Sequence, residues 1–404
     1  MINADGSGLR VLNKRVHAAG RISWSPDGRR LVADVTTGAW YTPELVVVSA
    51  EGVLERHLGG AGATQPSWSP DGTRVAYSVS CNSCRPAWLA SVDVQGGRQR
   101  RLTQVRLAYN PRLHETGDRW PSWSPDGSRL VFARNTAGTE QLYAAAPDGS
   151  VQRRIAFTDS EDRAPVPSPD GSRIAFLRSP VNRQQLFVMN ADGSGIRPVS
   201  AAAGLRPSAA PAWSPDGRSL AIATIVEESL QQVWIVSLQG RGRRLLTADW
   251  NSSVAWSPDG RTLAYTVPNY TGCPSDADGT IWLIGVDGRG KRRLRGPPCA
   301  GGLDWSPDGS RLAYHGRGAP WKIGDRGAIW TIRRDGSERR RIAVAPDGDA
   351  LNPRWSPDGR LLTFASENVV VPDRRTRFFV VSSGGGRPRP ITIGAFPDWR
   401  RMAG

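Results

Sequence analysis

Apolar positions fall in short runs of strand length, each bracketed by turn-forming residues. One series occupies residues 30–35, 74–79, 129–133, 173–177, 219–224, 262–267, 311–314 and 361–365. These runs alternate or are wholly apolar, and they are rich in β-branched and aromatic residues, which predicts strands rather than helices. A second series follows at 184–190, 232–238, 280–286, 328–333 and 377–382. It gives way to Asp-Gly turn signals such as Asp148-Gly149, Asp192-Gly193, Asp287-Gly288 and Asp335-Gly336. The last run of each unit is shorter and basic, as at 100–102, 243–246, 292–294 and 339–342.

The first series is always preceded by the same turn. Trp-Ser-Pro-Asp-Gly occurs seven times, bringing Trp24, Asp27 and Gly28; Trp68, Asp71 and Gly72; Trp123, Asp126 and Gly127; and Trp213, Asp216 and Gly217. The remaining copies carry Trp256, Asp259 and Gly260; Trp305, Asp308 and Gly309; and Trp355, Asp358 and Gly359. An eighth copy keeps Asp170 and Gly171 but has Pro167 in place of tryptophan, and a ninth is cut short at 397–399. Counting Pro167 and Trp399 as equivalents, successive starts lie 44, 55, 44, 46, 43, 49, 50 and 44 residues apart.

A period in the forties belongs to propeller blades or to helical-pair solenoids. The turn chemistry selects the blade. Proline presets φ early in a type I turn, and glycine accepts positive φ at its end, which makes a hairpin connection. Each unit therefore reads as strand a, Ser-Pro-Asp-Gly turn, strand b, loop, strand c, Asp-Gly turn and strand d. The expectation is an all-β chain, 1–404, forming a single β-propeller of about eight four-stranded antiparallel blades, with a partial terminal unit.

The pentapeptide is preceded by Pro-x, as in Pro66-Ser67-Trp68 and Pro211-Ala212-Trp213. It resembles the WD40-like repeat of TolB-type β-propellers, and the resemblance covers nearly the whole chain. That family spans transport accessory proteins, peptidase propeller domains and exported proteins, so it implies the fold and an extracytoplasmic location but fixes no activity.

Sixteen tryptophans are present, seven of them in the motif. On the innermost strand such a ring is expected to fill the wedge between adjacent blades rather than stack on a ligand. No run approaches the ~20 apolar residues of a membrane span. The opening, Met1 to Leu12, has no signal-peptide pattern and nearly repeats Met189 to Arg197. The chain is thus expected to begin at the end of a strand c, with either shared termini closing the ring or a missing upstream leader.

The net charge is +16 and almost entirely arginine, since only Lys14, Lys291 and Lys322 are lysines. The clusters at 98–101, 153–154, 241–244, 291–293 and 339–341 fall on strand d, the outer edge of each blade. There they keep edge strands from pairing with other chains, or they offer an Arg-rich rim to an anionic envelope surface. They lack the aromatic interleaving that single-stranded nucleic acid prefers, so nucleic acid is not an expected partner.

Cys81 and Cys84 lie in one b–c loop, Cys273 in another, and Cys299 in the connection leaving that blade. Two structural disulfides suit such an even, loop-borne set, and with them an oxidising compartment. Zinc would need four converging ligands, and these pairs sit four blades apart. No Gly-x-Ser-x-Gly, His-Glu-x-x-His or phosphate-binding glycine loop occurs, and His17, His57, His114 and His315 are scattered. No catalytic residue, cofactor or metal is assigned.

The motif aspartates are read as turn residues accepting backbone N–H groups. Asp276-Ala277-Asp278-Gly279 lacks the downstream glutamate of a calcium loop. A candidate binding face comes from the connections on the opposite side: His114, Glu115, Asp118 and Arg119; Asp159 and Asp162; Asp249 and Trp250; Asp347 and Asp349. Three functions stay open. The residues favour a non-catalytic scaffold that binds a protein or peptide. The alternatives are the propeller portion of a peptidase or carbohydrate-active hydrolase whose catalytic domain is absent here, and a polyanion-binding module.

Overall fold

A computed structural model describes residues 16–37, 42–58, 62–80, 87–96, 99–104, 117–136, 139–157, 160–179, 185–199, 206–207, 211–226, 230–238, 243–247, 253–267, 279–296, 300–316, 326–346, 348–367 and 376–390. Every regular element among them is a β-strand. No helix is long and apolar enough to cross a membrane.

The strands form eight antiparallel sheets in chain order, spanning 16–58, 63–101, 117–154, 161–198, 206–247, 253–296, 301–344 and 349–390. These are blades 1 to 8. Blade 3 shows the pattern: strand a is Gly117–Trp123, b is Leu130–Asn135, c is Glu140–Ala145 and d is Arg153–Arg154. In blade 5, strand a is split into Arg206–Pro207 and Ala212–Trp213, both paired with Ser219–Val226. The eight-bladed propeller expected from the TolB-type repeat is therefore present.

Alternation along strand b explains why the blades stack. Tyr77, Phe132, Phe176, Tyr265, Tyr314 and Phe364 occupy one position and are fully buried. Each packs toward the preceding blade, whereas the residue before it (Ala76, Val131, Ala175, Ala264, Ala313) turns toward the next where the clusters place it. Large side chains thus meet small ones across each interface, and burying one such ring contributes about 2–3 kcal/mol.

The ring closes by the same packing. Phe378 and Ala365 of blade 8 join Leu31, Ala33, Val46 and Val48 of blade 1. Ala33 stands where most other blades have an aromatic ring, and Phe378 on strand c of blade 8 fills the space. Blades 1 and 8 each hold four strands of their own, so closure needs no shared sheet. The expected partial unit at 397–399 and the opening residues 1–15 lie outside the described residues.

The motif builds a second ring, of turns. In all eight copies the serine hydroxyl donates to the aspartate two residues on, at 2.5–2.6 Å. The same carboxylate accepts the backbone N–H two residues further, as from Thr73 to Asp71 at 3.0 Å. Glycine is required at the end because φ is positive, +69° at Gly72. A Cβ there would lie 3.6 Å from Pro26 of the preceding turn, and one on Gly28 would lie 3.2 Å from Pro357, which carries the ring across its closure.

Four of the seven motif tryptophans hydrogen-bond across to the preceding blade, whereas the indole N–H groups of Trp24, Trp123 and Trp355 are buried without a partner among the described residues. The indole N–H of Trp68 donates to Ser23 O, Trp213 to Val166 O, Trp256 to Ala212 O and Trp305 to Ala255 O, at 2.9–3.2 Å. Each acceptor sits just ahead of the preceding blade's own motif.

Candidate binding face

At the end of the ring opposite these turns, the start of strand a pairs with the end of strand b, and the blades cease to be alike. Blades 3 and 4 each carry a buried ion pair. Arg134 holds Asp118 through two hydrogen bonds of 2.6 and 2.8 Å, and Arg178 holds Asp162 at 2.7 and 3.0 Å. Both carboxylates are completely buried and the guanidiniums nearly so. Each guanidinium lies over two rings, Arg134 over Phe132 and Tyr143, Arg178 over Phe176 and Phe187. Burial works against the charge of Arg134, but the Asp118 hydrogen bond and charge outweigh it and raise its pKa.

Asp118 is also set in place by blade 2. Its N–H donates to Ala87 O at 2.9 Å, and its carbonyl accepts from the Ser78 hydroxyl at 2.9 Å. Gly117 permits this approach: a Cβ there would lie 2.2 Å from Ala87 O. The two buried aspartates are thus structural staples of the rim of the channel. Arg119 and Arg163 follow them on the same innermost strands and are half-buried.

The innermost strands carry a repeated distortion. Three residues before the motif position, φ is positive at Gln65 (56°), Trp120 (58°), Ala164 (50°), Gly302 (59°) and Asn352 (50°). Strand register shifts at the same places in blades 2, 3, 4, 7 and 8. Four of these five residues are not glycine, and such backbone costs of order 1–3 kcal/mol each and persists only where the surroundings impose it. The neighbouring blade supplies one constraint: the Gln65 side-chain oxygen accepts from Trp120 N–H at 2.9 Å.

Blades 7 and 8 make a different arrangement. His315 sits against Gly301 and Gly302, and its Nδ1 accepts from Asn352 N–H at 3.2 Å. Burial pushes its pKa down to about 4, against the opposing charge of Asp349. Asp349 accepts from Gly327 N–H at 2.6 Å. Nearer the turns, Asp304 accepts from Trp355 N–H at 2.7 Å and lies 3.5 Å from Arg354; burial pushes its pKa up against that cation.

The turn aspartates shift the other way. Hydrogen bonds from Ser124 and Ser128 hold Asp126 down at about 2. Burial would raise Asp259, but bonds from Ser257 and Arg334 bring it to about 2.

Of the residues expected on this face, Asp118, Arg119, Asp162 and Asp349 are described at strand starts. His114, Glu115, Asp159, Asp249, Trp250 and Asp347 lie outside the described residues, as do Cys81, Cys84, Cys273 and Cys299. Sequence reading missed Arg134, Arg178, Gln65, Trp120, His315 and Asn352. One signal was present: Asp-Arg recurs five residues ahead of the motif position in blades 3 and 4, each with Arg two residues after a strand-b phenylalanine. No group of three or more His, Cys, Asp or Glu among the described residues is placed to hold a metal ion.

On the outer edge, cations of strand d or its approach lie over strand-c tryptophans: Arg101 over Trp88, Lys291 over Trp282 and Arg339 over Trp330, at 4.6, 4.8 and 5.5 Å. The aromatic partners missing within the basic clusters come from the adjacent strand.

No protein-family model matches the chain, and no curated protein matches it in sequence. Among solved structures, dipeptidyl peptidase 4 of Porphyromonas gingivalis is similar at 16% identity and TM-score 0.63, over 93% of this chain and 60% of that one. An oligogalacturonate lyase from Vibrio parahaemolyticus is similar at 12% identity and TM-score 0.55, over 90% and 98%. A TolB from Agrobacterium tumefaciens has 24% identity over 60% of this chain and 84% of that one, at TM-score 0.41. At these identities the first two likenesses speak for the fold alone.

Proposed function

We propose that this chain is a non-catalytic, TolB-like propeller that holds a protein or peptide at the channel mouth formed by the innermost strands. The observation that carries the reading is the positive-φ bulge on the innermost strand of five blades, where Gln65, Trp120, Ala164 and Asn352 adopt a costly backbone. Strain of this kind collects at ligand-binding surfaces. The Asp118–Arg134 and Asp162–Arg178 pairs stiffen the strands that bear Arg119 and Arg163, so the surface is preorganised.

Retention of a partner from a cell-envelope extract tests the reading when two variants are compared. Arg163→Glu with Asn352→Gly alters the mouth, and Arg153→Glu alters the outer edge. The protein retained by the unaltered chain is expected to be lost only with the mouth variant. Equal retention by both variants would refute the assignment.

A second reading, the propeller portion of a hydrolase, is favoured by the peptidase likeness, since this chain spans 60% of that peptidase's length. An α/β hydrolase domain encoded in the same reading frame would favour this second reading, and turnover of oligogalacturonate by the purified chain would displace the scaffold reading; no turnover is expected. We place the protein outside the cytoplasm, in keeping with Cys81–Cys84 and Cys273–Cys299 as disulfides. Thiol titration of unfolded, unreduced protein should then find no free cysteine.

A further inference from the structure

Where blade 6 meets blade 7, on the turn-bearing face, a groove of about 500 Å³ is lined by Arg292, Ser310, Arg311, Arg333, Arg334 and Asp335. Four arginines line one space, and the protein's own contacts hold each of them. Arg292 donates to the carbonyls of Arg334 and Asp335. Arg334 pairs with Asp259 at 2.8 Å and donates to the Thr262 hydroxyl. Arg311 and Arg333 share the single carboxylate of Glu338, which also lies 3.4 Å from Arg340. The one lining carboxylate, Asp335, accepts from Ser337 N–H and hydroxyl at 2.8 and 2.6 Å and keeps its charge, which faces Arg333 and Arg292.

The charge balance around the groove is therefore positive, with three arginines leaning on one glutamate. A guanidinium carries five N–H donors, more than these contacts engage, and its fork matches phosphate geometry. Fixing the cations in advance removes much of the entropy that a flexible lysine would lose on binding. Elsewhere the described rim is more dispersed: Arg100 lies 3.8 Å from Asp148, and Arg153 donates to Asp192 O in another blade.

We infer that this groove is a binding site for a small polyvalent oxyanion bearing two or more phosphate groups. It is separate from the channel mouth and does not depend on the function proposed there. The volume falls within the range of small-molecule sites, about 300–1,000 Å³.

Isothermal titration with inorganic pyrophosphate and tripolyphosphate tests the inference. One saturable site is expected, with affinity falling as salt rises from about 50 to 200 mM. Arg292→Gln with Arg333→Gln should weaken binding by about a hundredfold. Arg100→Gln with Arg153→Gln, which removes the same charge from blades 2 and 3, should leave it within about twofold. Glu338→Gln, which removes a full negative charge from beside the groove while its amide oxygen still accepts from the arginines, should tighten it, a gain that a misfolded variant would not produce. Absence of a saturable heat, or equal loss in the two double variants, would overturn the site. Citrate binding as tightly as tripolyphosphate would overturn the phosphate assignment.

Discussion

The two ends of the ring are built from the same eight repeats, yet they differ in what is kept. At the turn end every blade repeats one hydrogen-bond set, from the Ser25–Asp27 pair in blade 1 to Ser356–Asp358 in blade 8. At the channel mouth, two blades carry a buried Asp–Arg pair, one carries His315 against its neighbour's Asn352, and five bend their innermost strand. Uniform turns at one end, beside which only the outer arginines differ from blade to blade, are what a load shared equally among blades requires. Divergent chemistry at the other suits the asymmetric partner proposed for that surface.

The comparison breaks most sharply at the ion pairs. Asp162→Leu leaves Arg178 buried without its partner and should cost about 3–5 kcal/mol in denaturant unfolding. Pairing it with Arg178→Met should recover most of that loss while abolishing partner retention if the strand start is repositioned. At an interface shared by both ends, Trp213→Ala removes a buried indole and its bond to Val166 O, and should cost about 3 kcal/mol. An unchanged melting temperature would contradict its place between blades 4 and 5.

A smaller and uniform effect is expected at the turns. Ser257→Ala and Ser124→Ala each remove a buried hydroxyl that donates to the motif aspartate, and each should cost about 1–2 kcal/mol. Their near-equality is the point; a difference of several-fold would show that the turns are not equivalent.

The remaining effects are in pH dependence. His315 has its pKa lowered to about 4 in the folded chain, from 6.5. The unfolded chain takes up that proton first, so stability present above pH 6.5 is lost as pH falls toward 4. His315→Gln should remove this slope. The turn aspartates, lowered from 3.8, contribute stability that is present above that value and lost as pH falls toward 2. Urea unfolding at stepped pH separates the two windows.

The repeat made the fold readable because its chemistry is local. Trp-Ser-Pro-Asp-Gly specifies a hairpin within five residues, and alternation on strand b gives the stacking direction. Closure was not readable in the same way, because Phe378 substitutes for a ring missing at Ala33 across more than three hundred residues. The channel mouth was half legible. Asp118 and Asp162 stood out as loop carboxylates, but their burial depends on Arg134 and Arg178, each sixteen residues away. Their register across strands a and b, not their polarity, decides that they are staples. The bulges at Gln65, Trp120 and Ala164 leave no composition signal, since none of these residue types favours positive φ.

Hydrogen–deuterium exchange of the chain with its retained partner tests the division of the two ends most directly. Protection is expected at residues 117–120, 161–164 and 349–352, with the Ser-Pro-Asp-Gly turns exchanging as they do in the free chain. Protection confined to those turns, with the channel mouth unchanged, would contradict the account.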